Sequence, residues 1–256
     1  MKTLKDFFAG KLHVRVYDSR QAMGDSAGGE IAACLKALLS EKETVNVMFA
    51  AAPSQNEVLQ KLTSDSEIDW SRINAFHMDE YIGLDDMHPA GFRRFLKRAI
   101  FDKKPFLSVN LLNGNANNPA LEAERYHQLL VDHPLDVCVL GIGENGHIAF
   151  NDPPVADFND EKYVKIVALE DACRLQQVHD GCFGSIEEVP SHALTVTIPG
   201  LCSPRYMFCS VPASTKANAI KHTVEDDVST ACPATVLKTV SNANLYVDAD
   251  AAKFIL

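Results

Sequence analysis

The sequence has no run of roughly 18 to 20 apolar residues, so it offers no membrane span. Its start, MKTLKDFFAGKLHVRV, lacks the apolar stretch and cleavage site of a signal peptide, which predicts a cytosolic protein. Seven cysteines are scattered without a C-x-x-C pair, and this excludes both a disulfide framework and a zinc knuckle as the organising feature. They read instead as small apolar residues, most of them buried. Positive charge is also short: 24 Lys and Arg against 34 Asp and Glu leave a net charge of -10, which opposes sequence-independent binding to nucleic acid. A single anionic metabolite can still be held in a locally basic pocket. No G-x-S-x-G elbow, P-loop lysine or metal-ligand spacing occurs, and no metal or other cofactor is expected. Nothing in the sequence fixes the oligomeric state, and a homo-oligomer stays open.

What is present is a regular alternation. Strand-like apolar runs occur at HVRVY near residue 15, VNVMFA near 47, NAFHM near 76, LDVCVLGI near 139, ALTVTI near 195, RYMFCSV near 208 and NLYVDA near 246. Amphipathic stretches separate them, a pattern that predicts an α/β fold with a mostly parallel sheet and helices on both faces. The segment from Asp18 to Lys42 reads as a crossover helix capped by Asp18 or Ser19. Ser54 is placed to cap a second helix over NEVLQKL. No linker-like tract interrupts the chain, so residues 1–256 are expected to form one domain. Pro153 to Lys162 reads as a loop beside a cleft.

Ligands of open α/β sheets lie beyond the carboxyl ends of the strands, where three polar groups fall: Ser54, the pair Asp79 and Glu80, and Gly141 to Asp152. GIGENGHIAFNDP contains G-x-G-x-x-G at Gly141, Gly143 and Gly146, but it comes after about 140 residues of other structure rather than after the first strand that carries a dinucleotide fingerprint. Within it, Asn145 and Asp152 are placed to hold His147 in one tautomer for proton exchange; the lesser alternative is that they only stabilise their own turn. The acids of HMDEYIGL, directly after a strand, can supply a general base or a helix cap. Lys216, at the expected start of a helix after RYMFCSV, suits a phosphate or is an ordinary solvated lysine.

Taken together, HMDEYIGL, LLNGNA (Leu111 to Ala116), GIGENGHIAFNDP and CPATVL (Cys232 to Leu237) resemble the motifs of glucosamine-6-phosphate deaminases, in the same order over roughly Val47 to Asp248. The resemblance implies a modified Rossmann-like fold, a 2-amino-2-deoxyhexose phosphate as substrate, and no redox or metal cofactor. It implies that Asp79 removes the C2 proton and that His147, supported by Asn145 and Asp152, opens the sugar ring. Glu80 counts among its substrate-binding residues, and Lys216 matches its phosphate lysine. Ala51, Ala52, Pro53 and Ser54 stand where the family has a T-G-x-T-P phosphate loop. For its phosphate arginine the sequence offers Arg174, with His179 as the other candidate. Asp152 stands where the family has glutamate, one methylene longer, and is expected to reach His147 only through a backbone shift or a water. The resemblance also keeps three relatives in view: a galactosamine-6-phosphate deaminase, a 6-phosphogluconolactonase, whose chemistry needs no C2 base, and a sugar-phosphate-binding regulator.

Overall fold

In the computed structural model, residues 2–256 are described. The strands are β1 (Thr3–Ala9), β2 (Leu12–Tyr17), β3 (Val45–Phe49), β4 (Ile73–His77), β5 (Asp79–Tyr81), β6 (Ser108–Asn110), β7 (Val137–Leu140), β8 (Val164–Ala168), β9 (His192–Val196), β10 (Tyr206–Val211) and β11 (Ala243–Asp248). The helices are α1 (Arg20–Glu41), α2 (Asn56–Ser64), α3 (Phe92–Leu96), α4 (Pro119–Asp132), α5 (Asp171–His179), α6 (Ile198–Cys202) and α7 (Ala217–Glu225). Eight strands form one sheet in the order β1-β2-β11-β10-β7-β3-β4-β6, parallel except for the β1-β2 hairpin, which turns at Gly10 with φ +60. No helix among the described residues is long and apolar enough to cross a membrane.

Both faces of the central strands are buried, which is why they read as unbroken apolar runs. Val45, Val47 and Phe49 of β3 point to one side and pack with Ile31 and Leu35 of α1 and Val58 and Leu62 of α2. Met48 joins Cys138 and Leu140 on the other side, against Tyr126 and Leu130 of α4 and Ile220 of α7. Two apolar layers thus sandwich the sheet. Ser19 caps α1 as the sequence indicates, its hydroxyl accepting from the Ala22 amide at 3.2 Å.

The run ALTVTI differs from its reading. It forms β9, the middle strand of a separate antiparallel sheet ordered β5-β9-β8. Ala193, Leu194, Thr195 and Val196 are all buried, and an apolar run of that length carries no periodicity that could tell its sheet. Ser54 also departs from expectation. A 3-10 turn over Pro53–Gln55 leads into α2 with no side-chain cap, and the Ser54 hydroxyl accepts from Gln55 Nε2 instead.

The chain leaves β3 toward β4 on one side, while β7 enters on the other, so the loops after β3 and β7 diverge. That divergence opens a crevice at the carboxyl ends of the strands.

Candidate active site

Loops after β3, β4, β7 and β10 meet over this crevice. They line a cleft of about 760 Å3 of empty space, its open mouth included, with Ala51, Ala52, Ser54, Asp79, Gly143, His147 and Lys216 on its walls.

Asp79 enters from the point where the chain changes sheets. β4 ends at His77, Met78 is the only link, and β5 begins at Asp79. The side chain is 7% exposed, and neither carboxylate oxygen receives a hydrogen bond from a described residue. Burial and then the neighbouring Glu80 push its carboxyl well above the usual range. A buried carboxylate with no donors, facing a cleft, has the environment suited to a general base.

Its neighbour Glu80 points the other way, as alternation along a strand requires. Its oxygens accept from the amides of Tyr81, Phe92 and Arg93 and from Arg93 Nε, so it caps the start of α3. Glu80 is therefore not brought to the cleft; it is a structural carboxylate.

His147 is held from several sides. Asn145 Oδ1 lies 2.7 Å from its Nδ1 and accepts from its backbone N–H, and Asp152 Oδ1 is 3.0 Å from the same Nδ1. Asn145 is itself oriented because its amide nitrogen donates to Asp152 and to Glu170. With two acceptors at Nδ1, that nitrogen carries the proton and Nε2 is left as the acceptor. The ring lies flat on Gly143, where a Cβ would overlap it. Asp152 makes this contact directly, and the backbone just before it is what brings it there. Ala149 takes a left-handed conformation with φ +48, and the bridge between Ile148 and Asn151 draws position 152 back beside the imidazole. Burial opposes ionisation of Asp152, but its contacts with His147 and Asn145 outweigh this and hold its carboxyl below the usual range.

Behind the imidazole, a nitrogen of His147, an oxygen of Asp152 and the Cys173 sulfur lie within 4.8 Å of one another. Such a set can ligate a soft divalent ion. Two of its members are already engaged with each other, and burial and then Asp152 push the Cys173 thiol up, which keeps the sulfur protonated.

Lys216 is 5% exposed at the turn before α7 and reaches the cleft from the β10 side. Burial lowers the pKa of its ammonium, against Asp180 and Glu144. The preceding Ala213 is held at φ +83 and ψ +146, a region that favours glycine, with its N–H shared between both oxygens of Asp248.

The two cations offered from α5 are not in the cleft. Arg174 pairs with Asp171 and donates to the carbonyls of Ile186 and Val189. The exposed His179 sits beside Glu144. In their place the cleft receives residues the sequence did not single out: Arg20, Gln176, Gln177, Asp180 and Thr215. The glutamines lie on the same helix as Arg174, one face round, and only the position of α5 shows which face looks in.

A family model for glucosamine-6-phosphate isomerases/6-phosphogluconolactonase matches residues 18–246. The chain belongs to this family. A glucosamine-6-phosphate deaminase from Listeria welshimeri is 32% identical over 211 residues, 82% of this chain and 88% of that one. One from Streptococcus pneumoniae is 31% identical over 230 residues, 89% and 95% of the two chains. Among solved structures, a monomeric glucosamine-6-phosphate deaminase superposes with a TM-score of 0.85 at 26% identity, covering 94% of this chain and 98% of that one. A 6-phosphogluconolactonase from Thermotoga maritima, at 19% identity and a TM-score of 0.73 over 93% and 99% of the chains, shares the fold.

The remaining motifs of this glucosamine-6-phosphate isomerase/6-phosphogluconolactonase member act as buttresses. Gly114 of LLNGNA lies so close to the Tyr81 carbonyl that a Cβ would overlap it, which fixes the DEY strand from below. Gly146 takes φ +84 against Cys232, and the Ala234 amide donates to its carbonyl, so CPATVL backs the turn that presents His147.

Proposed function

We propose that this chain converts a hexosamine 6-phosphate, glucosamine 6-phosphate, to fructose 6-phosphate and ammonia. The observation that carries this reading is the buried Asp79 carboxylate, with no donor among the described residues, in the same cleft as an imidazole whose Nδ1 is tied and whose Nε2 has no partner among them.

The chemistry divides between them. Lys216 and the polar end of the cleft hold the phosphate. His147 Nε2 takes the C1 hydroxyl proton and delivers a proton to the ring oxygen, which breaks the C1 to ring-oxygen bond and leaves an aldehyde. The aldehyde acidifies the C2 hydrogen. Asp79 removes that proton and returns it to C1, so the C2 amine becomes an imine. Water adds to the imine carbon and ammonia leaves, giving the ketose phosphate with no net oxidation.

Asp152, ionised beside Nδ1, favours the cationic imidazole that forms midway. The same reading places the enzyme in the cytosol, since its substrate is a charged metabolite. Hydrolysis of a lactone would not use a base at Asp79, which is why the deaminase reading is favoured over the lactonase. The deciding experiment is to incubate the purified chain with glucosamine 6-phosphate, galactosamine 6-phosphate and 6-phosphogluconolactone. Ammonium and fructose 6-phosphate from the first support the proposal. Turnover of the lactone alone overturns it.

A further inference from the structure

One face of α1 carries Arg20, Gly24 and Gly28, four residues apart and therefore in a single stripe. Gly24 meets α2 so closely that a Cβ would overlap Glu57, and a Cβ at Gly28 would fall 2.6 Å from the Lys61 side chain and 3.1 Å from the Val58 carbonyl oxygen. The two helices cross almost backbone to backbone. One turn before Gly24, this closeness lays Arg20 over the Pro53–Gln55 turn. Its Nε donates to Glu57 Oε1 at 2.8 Å and its Nη2 to the Pro53 carbonyl at 2.5 Å, while Nη1 has no acceptor among the described residues. The side chain is 38% exposed, and it lines the cleft together with Ala51, Ala52, Ser54 and Lys216.

We propose that Arg20 is the second phosphate-binding cation of this site, acting from the start of α1 where the family resemblance led to an arginine in the α5 segment. The proposal rests on a phosphorylated substrate, as in the function above. An Ala-Ala-Pro loop offers no hydroxyls to a phosphate, and a guanidinium supplies planar, paired donors in their place. Glu57 and the Pro53 carbonyl hold two edges of the fork, so little rotamer freedom is lost when the third edge meets an anion. An ordinary surface ion pair between Arg20 and Glu57 would need neither the paired glycines nor the Pro53 contact.

The test uses the full chain and two measurements. KM and kcat are measured for glucosamine 6-phosphate, and the affinity of inorganic phosphate is measured by calorimetry, which needs no turnover. Arg20→Gln should raise KM and weaken phosphate binding by about tenfold or more, with kcat changing far less, and Arg20→Lys should recover part of both. Should Arg20→Gln fold poorly, Gly24→Ala carries the same expectation, because it moves α1 off α2 while leaving the guanidinium intact. A folded variant that keeps KM and phosphate affinity within about twofold of wild type overturns the assignment. If the wild-type chain binds phosphate through Arg20 but releases no ammonium, the arginine stands and the proposed reaction falls.

Discussion

Asp152 Oδ1 lies 3.0 Å from His147 Nδ1, a direct carboxylate-imidazole contact made by the shorter of the two acidic side chains. It commits one ring nitrogen to the protein and leaves the other to the cleft, whereas Asp79 has no such partner among the described residues. The proposed mechanism divides its steps between the two. Each half of that division can be removed on its own.

Asp79→Asn keeps the shape and removes the base. Ammonia release and exchange of the C2 hydrogen with deuterated solvent should fall by at least about 100-fold, while ring opening persists. His147→Gln should show the reverse, with an open-chain analogue recovering part of the lost rate. A folded Asp79→Asn protein that exchanges C2 at the wild-type rate would remove Asp79 from the mechanism.

The raised pKa of Asp79 sets the pH dependence. The working form is the carboxylate, so the acid limb of kcat/KM should lie above the ordinary aspartate value of about 3.9. Stability runs the opposite way. A folded pKa above the unfolded one means that no penalty exists below about pH 4, and that the penalty grows as pH rises through the folded value. Asp79→Asn should therefore melt higher than wild type at pH 7 to 8, and the difference should vanish near pH 4. Equal melting temperatures at both pH values would show that the buried carboxylate is not strained.

Gly143→Ala probes the seat of the imidazole. A methyl group there overlaps the His147 ring, so the variant should fold and lose about 100-fold or more in kcat. Retained activity would mean that the ring does not work from this position.

Lys216→Met should weaken binding of the sugar phosphate by about 1.5 to 3 kcal/mol, the scale of a charge-assisted hydrogen bond. An unchanged KM would place the anion elsewhere.

Ala213→Gly relieves the positive φ beside Lys216. It should stabilise the chain by about 1 kcal/mol, the strain released less the added freedom of glycine when unfolded. Thermal denaturation decides it, and a lower melting temperature would show that no strain is stored there.

Much of this was legible in the sequence because strand ends carry their own markers. Asp79, His147, Asn145, Asp152 and Lys216 each come after an apolar run, and a crevice at strand ends gathers whatever stands there. Glu80 misled because adjacent acids share a strand but not a face. Arg174 misled because α5 turns its glutamines inward, and a short polar helix gives no strong apolar stripe by which to orient it. Arg20 lies far from the other site residues in the chain. Its marker was present as R-x3-G-x3-G, but its meaning depends on a second helix that only the fold supplies.

A single residue, Met78, separates β4 of the large sheet from β5 of the small one, and Asp79 is the first residue beyond it. Lys216 follows β10 of the large sheet, and His147 lies on the loop that leaves β7 of that sheet for β8 of the small one. The residue proposed as the base and the lysine proposed for the phosphate therefore stand on separate pieces of architecture. Remodelling the short strand beyond Met78 would change the residue proposed as the base without moving the loop that carries Lys216. This separability gives one scaffold a route by which it can diverge into both of the activities for which its family is named.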